Sequence, residues 1–307
     1  MRADLSGVFC AAATPVLEDY SADAKRLAAH CRQLLKDGCR GIALLGSTGE
    51  ANSFSVSERM ALLEAIVADG IAPDRLLPGT GVCALPDTVA LTRHALSLGV
   101  STVVMLPPFY YKGVSDDGLV DAYSYVIDRV NDPRLRVVLY HIPPISQIPI
   151  PDAVISTLIA RYGQVIAGVK DSSGDLEHMA GLAETFPGLS IFAGADPLML
   201  PLLERGGAGC ITATSNLAAA QLRRIFDDRG NPDAKIAVQV AQARVVAVRT
   251  ISSRFPQIPS IKAMIARRYG DDGWCALRHP FRSLSTEQRQ IIGALLDELD
   301  ADERASA

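Results

Sequence analysis

The feature that most limits what this chain can fold into is an alternation of short apolar runs with amphipathic stretches. Runs rich in aliphatic and β-branched residues begin near Val8, Ile42, Leu76, Thr102, Arg136, Val165, Ser190 and Gly209, 19 to 34 residues apart and each 4 to 7 residues long. That length is too short for a buried helix and suits a strand covered on both faces. The intervening segments carry a helical period. Leu27, Cys31, Leu34 and Leu35 recur as i, i+4, i+7 and i+8, with Ser21 placed to cap the start and Gly38 to end the helix. Met60, Leu63 and Val67 repeat this after Ser55-Val56-Ser57-Glu58, which reads as a capping box. Strand then helix, repeated eight times, demands parallel strands joined by right-handed crossovers. Eight such units in about 220 residues predict a closed (β/α)₈ TIM barrel. The competing doubly wound sheet lacks its usual signature, because no G-x-G-x-x-G follows the first run.

After Asn216 the strand signal stops. Helical stretches are predicted near Asp233 to Ile251, Ile261 to Tyr269 and Ser285 to Leu299, the last opening on the capping box Ser285-Thr286-Glu287-Gln288. The expected organisation is a barrel over residues 1–230 and a C-terminal helical region over 231–307, packed on the barrel or on another subunit. The tail from Ala301 to Ala307 is expected to fray.

Composition excludes several partners. Lys and Arg total 30 against 34 Asp and Glu, a net charge of −4 with no basic cluster, so nucleic acid is not an expected partner. The uncharged stretch Leu96 to Tyr111 is broken by Ser97, Ser101, Thr102, Pro107 and Pro108, and no membrane span is expected. Val8 to Ala13 resembles the core of a leader. However, Asp4 dilutes any positive n-region, and Pro15 and Glu18-Asp19 follow at once, so a buried strand is expected there. The six cysteines form no C-x-x-C pair, which fits reduced thiols in a cytoplasmic protein. The five histidines show no H-E-x-x-H or H-x-H spacing, so a dedicated metal site is not expected.

In a barrel, chemistry sits at the carboxyl ends of the strands. The second run ends in Gly46-Ser47-Thr48-Gly49-Glu50, where two hydroxyls and the backbone N–H groups of a glycine turn can meet a carboxylate or phosphate. The fifth ends in Tyr140-His141-Ile142-Pro143. Tyr140 can relay protons or stand as a core aromatic with its hydroxyl satisfied, and His141 is by default a neutral, hydrogen-bonded ring. The sixth ends in Lys170-Asp171-Ser172-Ser173-Gly174-Asp175. An ammonium is costly to bury, so a lysine closing an apolar strand is either paired, here with Asp171 or Asp175, or used. Desolvation at a barrel mouth favours the free amine, a nucleophile toward carbonyls. A lysine, a tyrosine and a hydroxyl pair at strand ends describe Schiff-base chemistry better than any Ser/His/Asp, P-loop or paired-carboxylate scheme.

With these residues the chain resembles the dihydrodipicolinate synthase and N-acetylneuraminate lyase family of pyruvate-dependent class I aldolases. The likeness runs through Gly46 to Glu50 (the family's G-[ST]-[ST]-G-E), Pro108-Phe109-Tyr110-Tyr111, Tyr140 to Pro143, Gly168 to Asp175, Gly194-Ala195-Asp196, Gly209-Cys210-Ile211 and Pro259-Ser260-Ile261-Lys262. It implies a (β/α)₈ barrel with a C-terminal helical region, a homotetramer built as a dimer of dimers, and no metal or organic cofactor. It further implies Lys170 as the imine-forming lysine and Tyr140 as the proton-relay tyrosine. Ser47 and Thr48 resemble the pair that holds the 2-oxo acid carboxylate and links the relay. Tyr110, or its neighbour Tyr111, is similar to the tyrosine contributed across the dimer interface. Gly194 and Ile211 match positions whose backbone lines the pocket.

Departures from the pattern bear on substrate. Dihydrodipicolinate synthases carry an arginine five residues after the relay tyrosine, and Ile145 stands there, unable to make a bidentate carboxylate contact. Pro197 occupies a position where sialic acid lyases often place an acidic residue. Asp196 then reads either as a ligand for substrate hydroxyls or as an N-cap for a helix starting at Pro197. His141 replaces a frequent asparagine and is expected to face the substrate tail. The resulting expectation is a Schiff-base lyase acting on pyruvate and a 4-hydroxy-2-oxo acid of the 2-keto-3-deoxy sugar acid type, with dehydration a variant of the same imine chemistry. The alternatives are condensation of pyruvate with aspartate semialdehyde and a non-catalytic 2-oxo acid sensor.

Overall fold

The computed structural model describes residues 5 to 306, so Asp4 and Ala307 lie outside the described residues. Seven parallel strands form one sheet: β1 (Gly7–Ala11), β2 (Gly41–Ala43), β3 (Thr102–Met105), β4 (Arg136–His141), β5 (Ile166–Asp171), β6 (Ser190–Ala193) and β7 (Gly209–Thr212). Their order is β2-β1-β7-β6-β5-β4-β3. The gap between β3 and β2 is spanned by the run beginning at Leu76, expected as a strand. It makes only isolated parallel bridges, Ile42 with Leu76 and Gly79 with Val104. Leu77 N–H donates to Ile42 O at 2.9 Å and Thr80 N–H to Val104 O at 3.0 Å, so the ring closes around a nearly complete barrel. Pro78 sits inside this run and has no N–H to give, which interrupts the ladder.

Around the barrel run α1 (Ala24–Lys36), α2 (Val56–Ala68), α3 (Leu85–Ser97), α4 (Asp116–Val130), α5 (Pro143–Ser146), α6 (Asp152–Tyr162), α7 (Leu176–Thr185), α8 (Met199–Leu203) and α9 (Ser215–Asp228). Asp23, not Ser21, caps α1, its Oδ1 accepting the Arg26 N–H at 2.9 Å. Ser21 instead bonds Asp19. The Ser55–Glu58 capping box forms as expected.

Three further helices close the chain: α10 (Lys235–Ser252), α11 (Gln257–Tyr269) and α12 (Thr286–Ser306). The last does not fray at Ala301. The helix continues to Ser306, and Arg244 of α10 pairs with Asp300. Apolar residues of α10 to α12, among them Val245, Ile261 and Ile292, share one buried cluster with the outer faces of the strands and with α1 to α4 and α6 to α9.

Strand periodicity separates two environments. Phe9, Ala43, Leu77, Val104, Val138, Tyr140, Phe192 and Ile211 form a second cluster that fills the barrel interior. Their strand neighbours Cys10, Val137, Leu139, Val169 and Cys210 belong to the outer cluster. Among the described residues no helix is long and apolar enough to cross a membrane.

Candidate active site

The turn leaving β2 is strained and held from outside. Leu45 and Glu50 adopt left-handed φ values of 54° and 57°, uncommon for residues with a Cβ and characteristic of functional loops. Glu50 is fully buried, and its Oε1 accepts from Lys262 Nζ of α11 at 2.6 Å. Its Oε2 accepts the Arg278 N–H at 2.8 Å. Burial lowers the Lys262 ammonium, and the Glu50 carboxylate opposes that shift. Two segments of the C-terminal region thus clamp the end of the turn that presents Ser47.

At the strand ends, Tyr140 of β4 pairs in register with Lys170 of β5. Lys170 is 6% exposed, and its Nζ lies 4.1 Å from the centre of the Tyr140 ring. Burial raises the Tyr140 phenol, but the Lys170 charge and hydrogen bonding with Ser47, Ser172 and Lys170 outweigh it. The hydroxyl is therefore held below its usual range. It is Ser47, rather than Thr48, that faces the phenol. Thr48 is buried beside it, outside the pocket lining. Gly194 keeps Ser172 in place: a Cβ at that position would lie 2.0 Å from the Ser172 Oγ.

Lys170, Tyr140 and Ser47 line one strand-end pocket. Asn52 and Arg59, which the sequence reading did not single out, line it too. The glycines Gly79 and Gly81 were the available signal on that side. A Cβ on Gly79 would lie 2.4 Å from Leu45 O, and one on Gly81 2.3 Å from Leu106 N, so backbones meet there too closely for any side chain.

Lys170 is not a snorkelling partner of the nearby acids. Asp171 points to the opposite face of β5, where its carboxylate accepts from Ser173 N–H at 2.7 Å and pairs with His178 Nδ1 at 2.6 Å. Asp175 instead caps α7, accepting the His178 N–H at 3.1 Å.

Two expected pocket residues are corrected by the same alternation. His141, next to inward-facing Tyr140, turns outward. Its Nδ1 accepts the Ile150 N–H at 3.1 Å, and its ring stacks on His178 at 4.8 Å. Asp196 is fully buried outside the pocket lining and provides no side-chain cap, Ala195 being the N-cap of its turn. Burial raises its carboxyl, opposed by the Thr212 and Thr214 hydroxyls. Ile211 faces the barrel interior, in register with Phe9. Tyr110 is 73% exposed, packed edge-on against Tyr111.

His141, Asp171 and His178 bring ligand atoms within 4.8 Å of one another, a grouping invisible in linear spacing. Their chemistry fits a cation poorly. A neutral His141 ligating through Nε2 must carry its proton on Nδ1, and a ligand histidine normally donates that proton to an acceptor. Here the Ile150 N–H already points at Nδ1.

Comparison with known proteins agrees with this geometry. The model of the dihydrodipicolinate synthetase family matches residues 4–299. A "DapA-like lyase" of Chloroflexus aurantiacus is 36% identical over 302 residues, covering 97% of this chain and 98% of the relative. The 4-hydroxy-tetrahydrodipicolinate synthase of Listeria innocua is 28% identical, covering 96% and 99%. Among solved structures, dihydrodipicolinate synthase from Agrobacterium tumefaciens superposes with a TM-score of 0.87 at 30% identity, covering 95% of this chain and 99% of that one. A 2-keto-3-deoxygluconate aldolase variant from Sulfolobus solfataricus shares the fold, with a TM-score of 0.86 at 21% identity and coverage of 96% and 97%. With the family model spanning nearly the whole chain and the barrel built as that family builds it, this protein belongs to the dihydrodipicolinate synthetase family and is an enzyme of its lyase and aldolase class.

Proposed function

We propose that the protein is a Schiff-base aldolase that cleaves or forms the C3–C4 bond of a 4-hydroxy-2-oxo acid, with pyruvate as the common product or substrate. The observation that carries this reading is a buried lysine that pairs with no carboxylate among the described residues, set against a phenol and a hydroxyl in a strand-end pocket. The Lys170 amine adds to the C2 carbonyl, and loss of water from the carbinolamine gives the protonated imine. Tyr140 and Ser47 move the protons of that step. When the 4-hydroxyl gives up its proton, the C3–C4 electron pair passes to the imine nitrogen and an aldehyde departs. Protonation of the enamine at C3 and addition of water then release pyruvate and restore the amine.

In this reading residues 1–230 carry the chemistry and 231–307 steady the Ser47 turn through Lys262 and Arg278. Gly194 acts by leaving room for Ser172. The assembly is a homotetramer in which the exposed Tyr110 of each chain completes the relay of a neighbouring copy. No organic cofactor is called for, since the imine itself is the electron sink.

Borohydride reduction in the presence of pyruvate, followed by peptide mass mapping, tests the reading. A stable adduct on Lys170 is expected, and pyruvate binding without any adduct would favour the sensor. The names of the synthase relatives favour a second reading, condensation of pyruvate with aspartate semialdehyde. Ile145, 69% exposed on α5, offers that aldehyde's carboxylate nothing. Assay of that condensation beside cleavage of a 2-keto-3-deoxy sugar acid separates the two.

A further inference from the structure

Arg59 is buried as a cation without a counter-ion among the described residues. It lies in the first turns of α2 and is 3% exposed. Its Nη2 donates to Gly79 O at 2.7 Å, and its buried Nε meets no acceptor. Among the described residues no carboxylate pairs with it, whereas Arg26 has Asp23 and Asp271, and Arg278 has Glu58. Arg268, similarly buried, lies in the field of Asp37 and Asp300. Around Arg59 nothing opposes desolvation, which pushes its guanidinium down to about 10. Holding a charge out of water without compensation costs several kcal/mol, so a fold that keeps such a group commonly has a use for it.

Its position indicates that use. Arg59 lines the same cavity as Lys170, and no Asp or Glu is among the described residues lining it. Two cationic side chains therefore line one cavity together with Ser47 and Asn52, and no acid among the described lining residues neutralises either. A guanidinium with unused donors is the side chain best suited to a planar carboxylate.

We propose that Arg59 is a carboxylate-binding residue of this pocket, pairing with an anionic ligand beside Ser47 and Asn52. The inference rests on the proposed function only in taking the 2-oxo acid as one source of the carboxylate. The other source is a second carboxylate, on the aldehyde partner or on a separate dicarboxylate.

The test is calorimetric titration of pyruvate and of succinate into Lys170→Ala protein, which forms no imine, alone and combined with Arg59→Met or Arg59→Lys. Arg59→Met is expected to weaken carboxylate binding roughly tenfold to a hundredfold, the worth of a hydrogen bond to a charged group. Arg59→Lys should retain part of the affinity. An effect on pyruvate identifies the 2-oxo acid's own carboxylate, and an effect confined to succinate identifies a second one. Unchanged affinity for both ligands in Arg59→Met protein that melts cooperatively overturns the proposal, as does failure of the Arg59-bearing protein to bind either. Should Arg59→Met not fold, Arg59→Gln, which can keep the bond to Gly79 O, carries the comparison. Borohydride trapping on Lys170 in otherwise native protein is read separately. An adduct without any Arg59 effect sinks only this inference, and Arg59-dependent succinate binding without an adduct sinks only the aldolase reading.

Discussion

Removing the Lys262 ammonium tests whether the C-terminal helices hold the substrate turn by charge. In Lys262→Met the apolar stem is largely kept, but Glu50 loses its 2.6 Å partner and retains only the Arg278 N–H at 2.8 Å. Breaking a fully buried pair by deleting one member costs about 3–5 kcal/mol. With about 2.1 cal/mol/K of unfolding entropy per residue over 307 residues, the loss corresponds to a drop in melting temperature of about 5–8 °C. Thermal melts of wild type and variant at pH 7 are the assay. Glu50→Gln combined with Lys262→Met should recover much of the loss. A shift below about 1 °C, or no recovery in the double variant, would refute the claim that a buried charge pair holds this turn.

Three further outcomes are expected. Tyr140→Phe should lower turnover about 10²- to 10⁴-fold while leaving Lys170 able to trap pyruvate slowly, read by steady-state kinetics and adduct mass. Gly194→Ala forces a Cβ to within 2.0 Å of the Ser172 Oγ and should cost about 1–3 kcal/mol and slow turnover. Gly181→Ala, a helix position with open space, is the control and should stabilise by about 0.5–1 kcal/mol in chemical denaturation. His30 is the acid-sensitive group. Burial lowers its pKa to about 4, opposed by the Asn216 Oδ1 at 2.9 Å. Between pH 6.5 and 4 the unfolded imidazole binds a proton the folded one refuses, so its contribution is complete above pH 6.5 and lost on acidification. The loss approaches about 3 kcal/mol, and His30→Gln should flatten the melting profile across that window.

What could be read from the sequence follows the range over which each signal acts. Strand runs, helix periods and the Ser55 and Ser285 capping boxes are local, and they predicted nearly every element. The exception at Leu76 came from Pro78, whose missing N–H turns a strand into a bridged segment. Lys170, Tyr140 and Ser47 were legible because each closes a run, and strand ends converge in any barrel. His141 and Asp196 were misplaced because type and proximity in sequence do not report which face a side chain takes. Arg59 was missed for the opposite reason. It sits on a helix, where an arginine ordinarily means a solvated surface, and only the fold reveals its 3% exposure and that, among the described residues, no carboxylate pairs with it, Glu58 being taken by Arg278.

The two faces of β5 and the turn after β2 also explain how the pocket stays cationic in a chain of net charge −4. Lys170 and Asp171 are adjacent in sequence, and on a helix or loop they would screen one another. A strand sends them to opposite sides of the wall, where His178 and the Ser173 N–H take up the carboxylate. Glu50 follows Ser47 by three residues, and it too is drawn out of the pocket, toward Lys262. Each acid nearest the site is thus tied off by a partner outside the barrel, while Lys170 and Arg59 line the pocket. Loosening either outer tie should therefore weaken anion binding as well as stability. His178→Ala provides the cleaner case, since it frees the Asp171 charge without touching the cavity lining. If succinate affinity in that variant stayed equal to wild type while the protein remained folded, the separation of charge across the wall would be incidental to binding.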